Sequence, residues 1–204
     1  MRKKLFCFGL GYSAQNLIQH LKEQNDDWQF SGTCRTESDN PIPDVHTYIF
    51  DGIKPMINMA EILSDVTHIL ISIAPQGDLG DPALHHHHSE ISKLKGLKWL
   101  GYLSTTGIYG DRKGAWVDDE SAPAPTSAKG RQRLAAEQGW LKICHDHDIP
   151  VHIFRLGSIY GAERGPLTNI LTGNPRKIFK KGQYFSRIHV EDIARVLTAS
   201  LNTP

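Results

Sequence analysis

An apolar run near the amino terminus leads directly into a glycine-rich turn, Leu5-Phe6-Cys7-Phe8-Gly9-Leu10-Gly11-Tyr12-Ser13-Ala14. The pattern GxGxxA between a strand and a helix is typical of a dinucleotide-binding turn. Gly9 permits the tight turn, Gly11 lets the backbone approach a pyrophosphate, and the small Ala14 lets the helix pack on the strand. The helix amino terminus supplies a positive dipole, and Tyr12 and Ser13, directly before the predicted helix, are counted with the cofactor-binding residues. The alternative interpretation is a tight turn that binds no ligand.

Strands and helices alternate along the rest of the chain. Apolar runs predict strands at 5–8, 29–34, 46–50, 67–74, 99–104 and 151–156, and amphipathic stretches predict helices at 14–23, 59–63, 89–95, 129–145 and 190–201. This alternation is typical of βαβ units and a parallel sheet. We therefore expect an α/β protein with a Rossmann-type, doubly wound parallel sheet. A loop-rich part at 162–186 predicts the start of a small C-terminal lobe.

The end of the second predicted strand bears on the choice of cofactor. An NAD site would place an acidic residue there, against the ribose hydroxyls. This chain has Arg35 followed by Thr36, and a guanidinium suits the 2′-phosphate of NADP. Thr36 or Ser38 would add hydrogen bonds. Glu37 could instead select NAD, or Arg35 could pair on the surface, but we favour NADP.

The composition is that of a globular chain of about one domain with no strong charge bias. The 204 residues carry 23 Lys and Arg against 22 Asp and Glu, a formal net charge of +1. That balance argues against a nucleic-acid partner or a polybasic membrane anchor. The three cysteines form no CxxC pair, and the amino-terminal apolar run is too short for a membrane span or a signal peptide. We expect a cytoplasmic protein with neither a nucleic-acid nor a membrane partner.

Six further motifs follow the glycine turn in order. They are Asp51, Ser72-Ile73-Ala74-Pro75, 104–110, Arg133-Leu134-Ala135-Ala136-Glu137, 155–161 and 188–193. As a set, they resemble the extended short-chain dehydrogenase/reductases, the NAD-dependent epimerase/dehydratase group. The resemblance implies an NAD(P)-binding Rossmann domain over 1–161, and a partial substrate-binding lobe with a closing helix over 162–204. The cofactor-binding residues that it implies beyond the glycine turn are Asp51, near the adenine, and Ser72, Ala74, Pro75 and Ser104.

The resemblance also reveals a departure in the catalytic set. Active members carry a Ser or Thr after the fifth strand, and a Tyr and a Lys four residues apart on the next helix. Thr105 matches the first position, but the helix register puts Lys129 in the Tyr position and Arg133 in the Lys position. A guanidinium stays charged and cannot exchange a proton, so Arg133 would only bind the ribose. Lys129 would act as an acid only if burial and neighbouring charge favoured its neutral form.

Two interpretations of Lys129 and Arg133 are therefore compatible with the sequence. Either they form a catalytic set with Thr105, which would hold the substrate oxygen, or they are two solvated cations on a helix face. The whole pattern resembles the atypical branch of the superfamily, which keeps the nucleotide fold without the usual active-site set. Whether the chain is an enzyme stays open at this point.

A second tyrosine and lysine show the same YxxxK spacing, namely Tyr109 and Lys113. A Gly-Asp pair between them predicts a turn, so the two side chains would not share a helix face. We expect Tyr109 to pack or to contact the substrate. The resemblance places Arg187 in a region that faces bound substrate, where it could hold an anion such as a phosphate. A surface role for Arg187 is equally compatible with the sequence.

The run His85-His86-His87-His88 raises the question of a metal site. No Cys or carboxylate cluster accompanies the run at zinc-site spacing. We therefore expect solvated or substrate-facing histidines near a helix start, and no metal.

These inferences lead to one main hypothesis and two alternatives. The main hypothesis is an NADP-dependent oxidoreductase or epimerase acting on a hydroxyl or carbonyl of a small substrate, phosphorylated or nucleotide-linked. The alternatives are a non-catalytic NADP sensor that contacts a protein partner through 115–128, and a structural domain with an empty Rossmann fold. The family usually continues beyond 188–201, so we expect either a fragment or a minimal member, with a truncated substrate lobe. The resemblance also implies a homodimer through the helices predicted at 89–95 and 129–145.

Overall fold

The computed structural model of the chain describes the residues from Arg2 to Thr203 with five gaps. The described residues are 2–24, 27–37, 42–162, 164–173, 182 and 184–203. Ser38, which we named as a candidate for the 2′-phosphate, lies outside these residues.

Six parallel strands form the central sheet, in the order β3-β2-β1-β4-β5-β6. Their bounds are Lys3–Phe8 for β1, Trp28–Cys34 for β2, Val45–Ile49 for β3, His68–Ile71 for β4, Trp99–Thr105 for β5 and Val151–Leu156 for β6. All five strand pairs are parallel, so the expectation of an α/β protein with a parallel sheet is confirmed. The chain runs outward from β1 to β3 and then crosses back to β4, which makes the ends of β1 and β4 the topological switch point.

Helices cover both faces of this sheet. They are α1 (Tyr12–Glu23), α2 (Met59–Ile62), α3 (Pro82–Ile91), α4 (Ala128–His147) and α6 (Val190–Asn202). The described residues also form the helix α5 (Pro166–Leu171), which buries no residue, and 3₁₀ turns at Gly77–Leu79 and Thr106–Tyr109. A separate parallel pair, β7 (Ser158–Tyr160) and β8 (Arg187–His189), lies beyond the sheet in sequence.

Two apolar layers form the core, because alternate residues of each strand point to opposite faces. Phe6 and Phe8 of β1 belong to one layer, together with Trp140 of α4. Leu5 and Cys7 belong to the other, which α1 and α6 close with residues such as Leu17, Ile18, Ile193 and Leu197. Full burial of such a side chain contributes about 1.5–3 kcal/mol, so the sheet that carries the site is a rigid platform.

The helix predicted at 89–95 is wrong in position. The structure places α3 at Pro82–Ile91, seven residues earlier. Asp81 is its N-cap and accepts a hydrogen bond from the Leu84 N–H at 2.9 Å, while Pro82 occupies the first turn. These two residues are a start signal in the sequence, and they agree with the expectation of a helix start near the histidine run. The bounds 89–95 came too late because the histidines interrupt the apolar pattern.

The predicted strand at 67–74 also ends early, at Ile71. The N–H groups of Ser72 and Ile73 both donate to the Phe8 carbonyl, at 2.9 and 3.1 Å. Sharing one acceptor turns the chain away from the sheet, so Ser72 and the residues after it form a loop above the carboxyl end of β1.

Helix α6 packs against α1 on the face of the parallel sheet. In the described part of the chain, β7, α5 and β8 are the elements after β6 that belong neither to the parallel sheet nor to α6. A division between two domains after residue 161 stays a prediction. Within the described residues, no helix is long and apolar enough to cross a membrane.

Candidate functional site

The glycine turn lies between the carboxyl end of β1 and the amino end of α1. Gly9 has φ +92°, and a Cβ there would lie 2.6 Å from the Ile73 Cγ2, so both conformation and space require glycine. The Gly9 N–H donates to the Thr33 hydroxyl at 2.8 Å, and the Ser72 hydroxyl donates to the Gly9 carbonyl at 2.5 Å. The turn is thus tied to both neighbouring strands.

Gly11 has a different role from Gly9. It is the N-cap of α1, with φ −84°, and nothing lies within 4 Å of the position that a Cβ would take. The open space lies at a helix amino terminus, where backbone N–H groups and the dipole favour an anion. The geometry therefore fits a phosphate group at Gly11.

A cavity of about 960 Å³ opens over this turn. Eight of the predicted cofactor-binding residues line it, from the four loops that follow β1, β2, β3 and β4: Gly9, Gly11, Arg35, Thr36, Asp51, Ser72, Ala74 and Pro75. Ser13 and Ala14 are buried in the first turn of α1. The Tyr12 hydroxyl donates to the Ala162 carbonyl at 2.7 Å, which joins this turn to the segment after β7. We call the cavity over the glycine turn the first cavity.

Arg35 and Glu37 both lie in the wall of the first cavity, and both are exposed. A cation at this place favours a phosphate ligand, while a carboxylate favours ribose hydroxyls. Arg35 and Glu37, which the sequence offers as alternative selectors of NADP and of NAD, therefore lie in one site.

Ser104 is buried, and its hydroxyl donates to Glu137 Oε1. Thr105, one residue later, accepts from the Gly107 N–H at 3.1 Å and caps the 3₁₀ turn. The structure therefore directs the Ser104 hydroxyl toward α4, and Thr105 is half-buried at the end of β5. A cofactor-binding role for Ser104 stays a prediction.

A buried ion pair joins α4 to β6. Arg155 Nη2 donates to Glu137 Oε2 at 3.0 Å, and the Glu137 side chain is only 2% exposed. Arg155 Nη1 also donates to the Tyr109 hydroxyl at 2.8 Å. Removing Arg155 would leave the buried Glu137 charge uncompensated, which costs about 3–5 kcal/mol. This network was not predicted, although Glu137 and Arg155 both stand in motifs that carried the resemblance.

Arg133 reaches over the ends of β4 and β5. Its Nη1 donates to the Leu103 carbonyl at 2.5 Å, and lies 3.3 Å from the Tyr102 hydroxyl and 3.4 Å from the Ile73 carbonyl. Burial raises the pKa of the neighbouring Asp81, and the Leu84 N–H and the Arg133 charge oppose that rise. Arg133 is therefore partly buried among backbone acceptors, so the interpretation as a solvated cation does not hold for it.

Lys129 differs from Arg133, one helical turn later. It is exposed in the first turn of α4, which begins after the N-cap Ser127. The Ser127 hydroxyl accepts from the Gly130 N–H at 3.0 Å. The structure thus presents the Lys129 side chain to solvent.

A second cavity of about 870 Å³ lies beside β6, and we call it the second cavity. Tyr109 and Arg187, the two predicted substrate-binding residues, both line it. Trp116 is fully exposed at its edge, and the Arg187 guanidinium lies 5.2 Å from the Phe185 ring. Cations and aromatic faces together suit a ligand with an anionic part and a planar or apolar part.

Two other patterns from the sequence do not form sites. Lys113 is exposed with φ +53°, while Tyr109 is buried in a 3₁₀ turn, so the two do not share a helix face. In the histidine run, His87 is completely buried, which corrects the expectation of solvated or substrate-facing histidines. Among the described residues, no group of three potential metal ligands occurs.

A parallel sheet with a glycine turn and an open helix amino terminus at its switch point defines a dinucleotide-binding Rossmann protein. The model of the NAD dependent epimerase/dehydratase family matches residues 89–204, which is more than half of the chain. The chain belongs to this family and is an NAD(P)-binding protein of the epimerase/dehydratase superfamily.

The chain is also similar to solved structures and to a curated protein. A conserved protein of unknown function from Silicibacter pomeroyi is 42% identical, with a TM-score of 0.83 over 99% of this chain and 69% of its own. UDP-glucuronic acid 4-epimerase from Bacillus cereus, solved with UDP-glucuronic acid and NAD, is 19% identical with a TM-score of 0.79, over 97% of this chain and 73% of its own, and shows the shared fold. An uncharacterized UDP-glucose epimerase from Bacillus subtilis is 26% identical over 127 residues, 56% of this chain. The matched part spans 39% of that curated relative.

Proposed function

We propose that the protein is an NADP-dependent oxidoreductase or epimerase that acts on a hydroxyl or carbonyl of a small, phosphorylated or nucleotide-linked substrate. The observation that carries the cofactor choice is the position of Arg35, in the wall of the first cavity at the carboxyl end of β2. The names of the relatives, which are epimerases of UDP-linked sugars, support a nucleotide-linked substrate.

In this proposal, the first cavity holds the dinucleotide. The open space at Gly11 accepts the diphosphate on the first-turn N–H groups of α1. Arg35 and Thr36 bind the 2′-phosphate, and Asp51 lies at the adenosine end. Asp51 Oδ1 already accepts from the Ile53 N–H at 2.8 Å, so the carboxylate is held in place. When bound, the nicotinamide supplies or accepts a hydride.

The chain itself supplies the proton and the substrate contacts. Thr105 holds the substrate oxygen, and either Lys129 or a water molecule exchanges the proton. A guanidinium carries five N–H donors, and the contacts of Arg133 described above all use Nη1. Its other donors are left for the nicotinamide ribose in this proposal. Arg187 binds the anionic part of the substrate in the second cavity.

Family membership favours this enzyme over the alternative of a non-catalytic NADP sensor. Turnover distinguishes the two hypotheses directly. If Lys129→Ala leaves the turnover of an identified substrate intact, Lys129 is excluded as the proton donor and water takes that role.

The cofactor choice is tested by calorimetric titration of the protein with NADPH and, separately, NADH. We expect Arg35→Ala to weaken NADPH binding by about tenfold or more, equivalent to about 1.4 kcal/mol, and to change NADH binding by less than about twofold. Glu37→Gln should act in the opposite direction and improve NADPH relative to NADH, since it removes a negative charge near the 2′-phosphate.

Arg195→Ala is the control, because Arg195 is an exposed arginine on α6 that pairs with Asp192 at 3.5 Å. It should leave both affinities unchanged. Equal, small effects of Arg35→Ala on both nucleotides contradict the assignment of NADP, and an NADH preference that Glu37→Gln abolishes supports NAD instead.

A further inference from the structure

Two neighbouring histidines of α3 hold the segment that follows β3. His86 Nε2 lies 3.1 Å from the Gly52 carbonyl oxygen, and the Met56 N–H donates to His87 Nε2 at 3.2 Å. The same segment begins with Asp51 and Gly52, which line the first cavity. Helix α3 is therefore joined, through two imidazoles, to one wall of that cavity.

His87 lies directly behind this wall. Its side chain is completely buried, and its ring centroid is 5.4 Å from that of Phe50 and 5.9 Å from that of Phe8. Phe50 itself lines the first cavity. A change in the hydrogen bonding of His87 has no solvent to compensate it, so the change falls on the segment between Phe50 and Met56.

The hydrogen bond with Met56 requires a particular protonation state. An imidazole nitrogen that accepts an N–H must be unprotonated, so the ring is neutral with its proton on Nδ1. His87 Nδ1 faces Glu90 Oε1 at 3.8 Å, and it has no hydrogen-bond partner among the described residues. A protonated ring would turn an N–H toward the Met56 N–H, which would lose its acceptor.

The groups that face His87 favour the neutral ring. The charged and titratable ones are Glu90 and His86, both on α3, while β1 and the end of β3 present the phenylalanine rings. Burial lowers the pKa of His87 and is the largest effect. Glu90 raises this pKa by less than burial lowers it, and His86 lowers it further. The acceptor is therefore present near neutral pH and is lost as the pH falls below the ordinary histidine value.

We propose that His87 is a positioning residue for the first cavity, whose neutral imidazole holds the segment 51–56 in the shape that receives the adenosine half of the dinucleotide. Protonation of His87 releases this segment and weakens nucleotide binding in acid. The inference rests on the proposed function, in that it takes the first cavity to be the dinucleotide site.

The test is the affinity for NADP⁺ over a pH series from 7.5 to 4.5, measured by calorimetry, in the wild type, His87→Gln and His88→Gln. The oxidised form is used because the reduced nucleotide decomposes in acid. A glutamine amide oxygen can accept from Met56 at every pH of this series and does not titrate. His88 is an exposed neighbour on the same helix and serves as the control. The titration of the ligand's own phosphate is common to all three proteins and cancels in the comparison.

We expect the Kd of the wild type and of His88→Gln to rise between pH 7.5 and pH 4.5 by about tenfold more than that of His87→Gln, equivalent to about 1.4 kcal/mol. Because the pKa of His87 is lowered, most of this rise should come below pH 5.5. Equal acid dependence in all three proteins overturns the role of His87. Failure of the wild type to bind any dinucleotide at pH 7.5 instead overturns the proposed function, so the two failures are distinguishable.

A measurement on the wild type alone covers the case in which His87→Gln does not fold. Amide hydrogen exchange of Met56, corrected for the intrinsic pH dependence of exchange, reports its hydrogen bond. The protection of Met56 should fall between pH 7.5 and pH 4.5 while that of the Leu70 amide in the buried strand β4 is kept. Unchanged protection of Met56 contradicts the inference.

Discussion

The two cavities are built from different parts of the chain. The first cavity is made largely by backbone: Gly9 and Gly11 leave room, and the amino end of α1 supplies the donors. The second cavity is made largely by side chains, among them Trp116, Arg155 and Arg187. A backbone-built site depends on a short local pattern, whereas a side-chain-built site depends on which distant segments the fold brings together. Substitutions should therefore affect the two cavities separately.

The largest difference between the effects on the two cavities is expected from Glu137→Ala. Loss of the carboxylate leaves the partly buried Arg155 guanidinium and the buried Ser104 hydroxyl without their acceptor, which costs about 1–3 kcal/mol of unfolding free energy. The second cavity should be perturbed as well, since Arg155 lines it, while NADPH binding to the folded protein stays within about threefold. Urea unfolding and NADPH titration measure the two effects.

Asp146→Ala is the matched control for Glu137→Ala on the same helix. Its pair with Lys142, at 2.6 Å, is exposed, and such pairs contribute about 0–1 kcal/mol. If Glu137→Ala lowers the unfolding free energy as little as the control does, the Glu137–Arg155 pair does not stabilise the packing of α4 on β6.

A smaller but selective effect is expected from Gly11→Ala. The added methyl group enters open space, and φ at Gly11 is ordinary, so the unfolding free energy should change by less than about 0.5 kcal/mol. NADPH binding should weaken by about tenfold or more, because the methyl group occupies the place of the diphosphate.

Gly9→Ala provides the contrast within the same turn. Positive φ costs an alanine about 1–2 kcal/mol, and its Cβ would contact Ile73, so stability and binding should both fall. If Gly11→Ala binds NADPH like the wild type, the first cavity is not the diphosphate site.

The smallest effect is expected from Trp116→Ala, in the second cavity. Trp28, Trp99 and Trp140 are buried, whereas Trp116 is fully exposed, so its loss should leave the unfolding free energy unchanged within about 0.5 kcal/mol. Binding of UDP-glucose, used as a probe, should weaken by about fivefold, equivalent to about 1 kcal/mol, in the range of an aromatic contact.

Fluorescence quenching by acrylamide supplies the second readout for Trp116. The easily quenched part of the emission should disappear in Trp116→Phe, and UDP-glucose should protect it in the wild type. Protection by NADPH alone, without any effect of UDP-glucose, would assign Trp116 to the dinucleotide and contradict the distinction between the cavities.

The sequence predicted the sheet and the first cavity well, because their signals are local. The apolar run before Gly9, the glycine spacing and Arg35 lie within short stretches, and the parallel order follows from alternating strands and helices. Helix α3 was misplaced because its polar histidines hide the apolar periodicity, even though Asp81 and Pro82 mark its start.

The side-chain network was beyond sequence reasoning for a different reason. Ser104 and Glu137 are 33 positions apart, and Tyr109 and Arg155 are 46 apart. No periodicity relates residues at such distances, so their contact depends on how α4 and β6 pack on β5. The same holds for Arg133, whose contact with the Ile73 carbonyl spans 60 positions.

The sequence by itself thus determined the fold class, the glycine turn and the four-residue separation of Lys129 and Arg133 on α4. All of these depend on residue types within a few positions of one another. Only the tertiary structure decided that Arg133 is enclosed by strand ends, that His87 is buried behind the first cavity, and that Tyr109 and Arg187 share the second. Those outcomes depend on how distant segments pack. Burial then decides the hydrogen-bond partners and the charge state of each side chain, and neither can be inferred from the sequence alone.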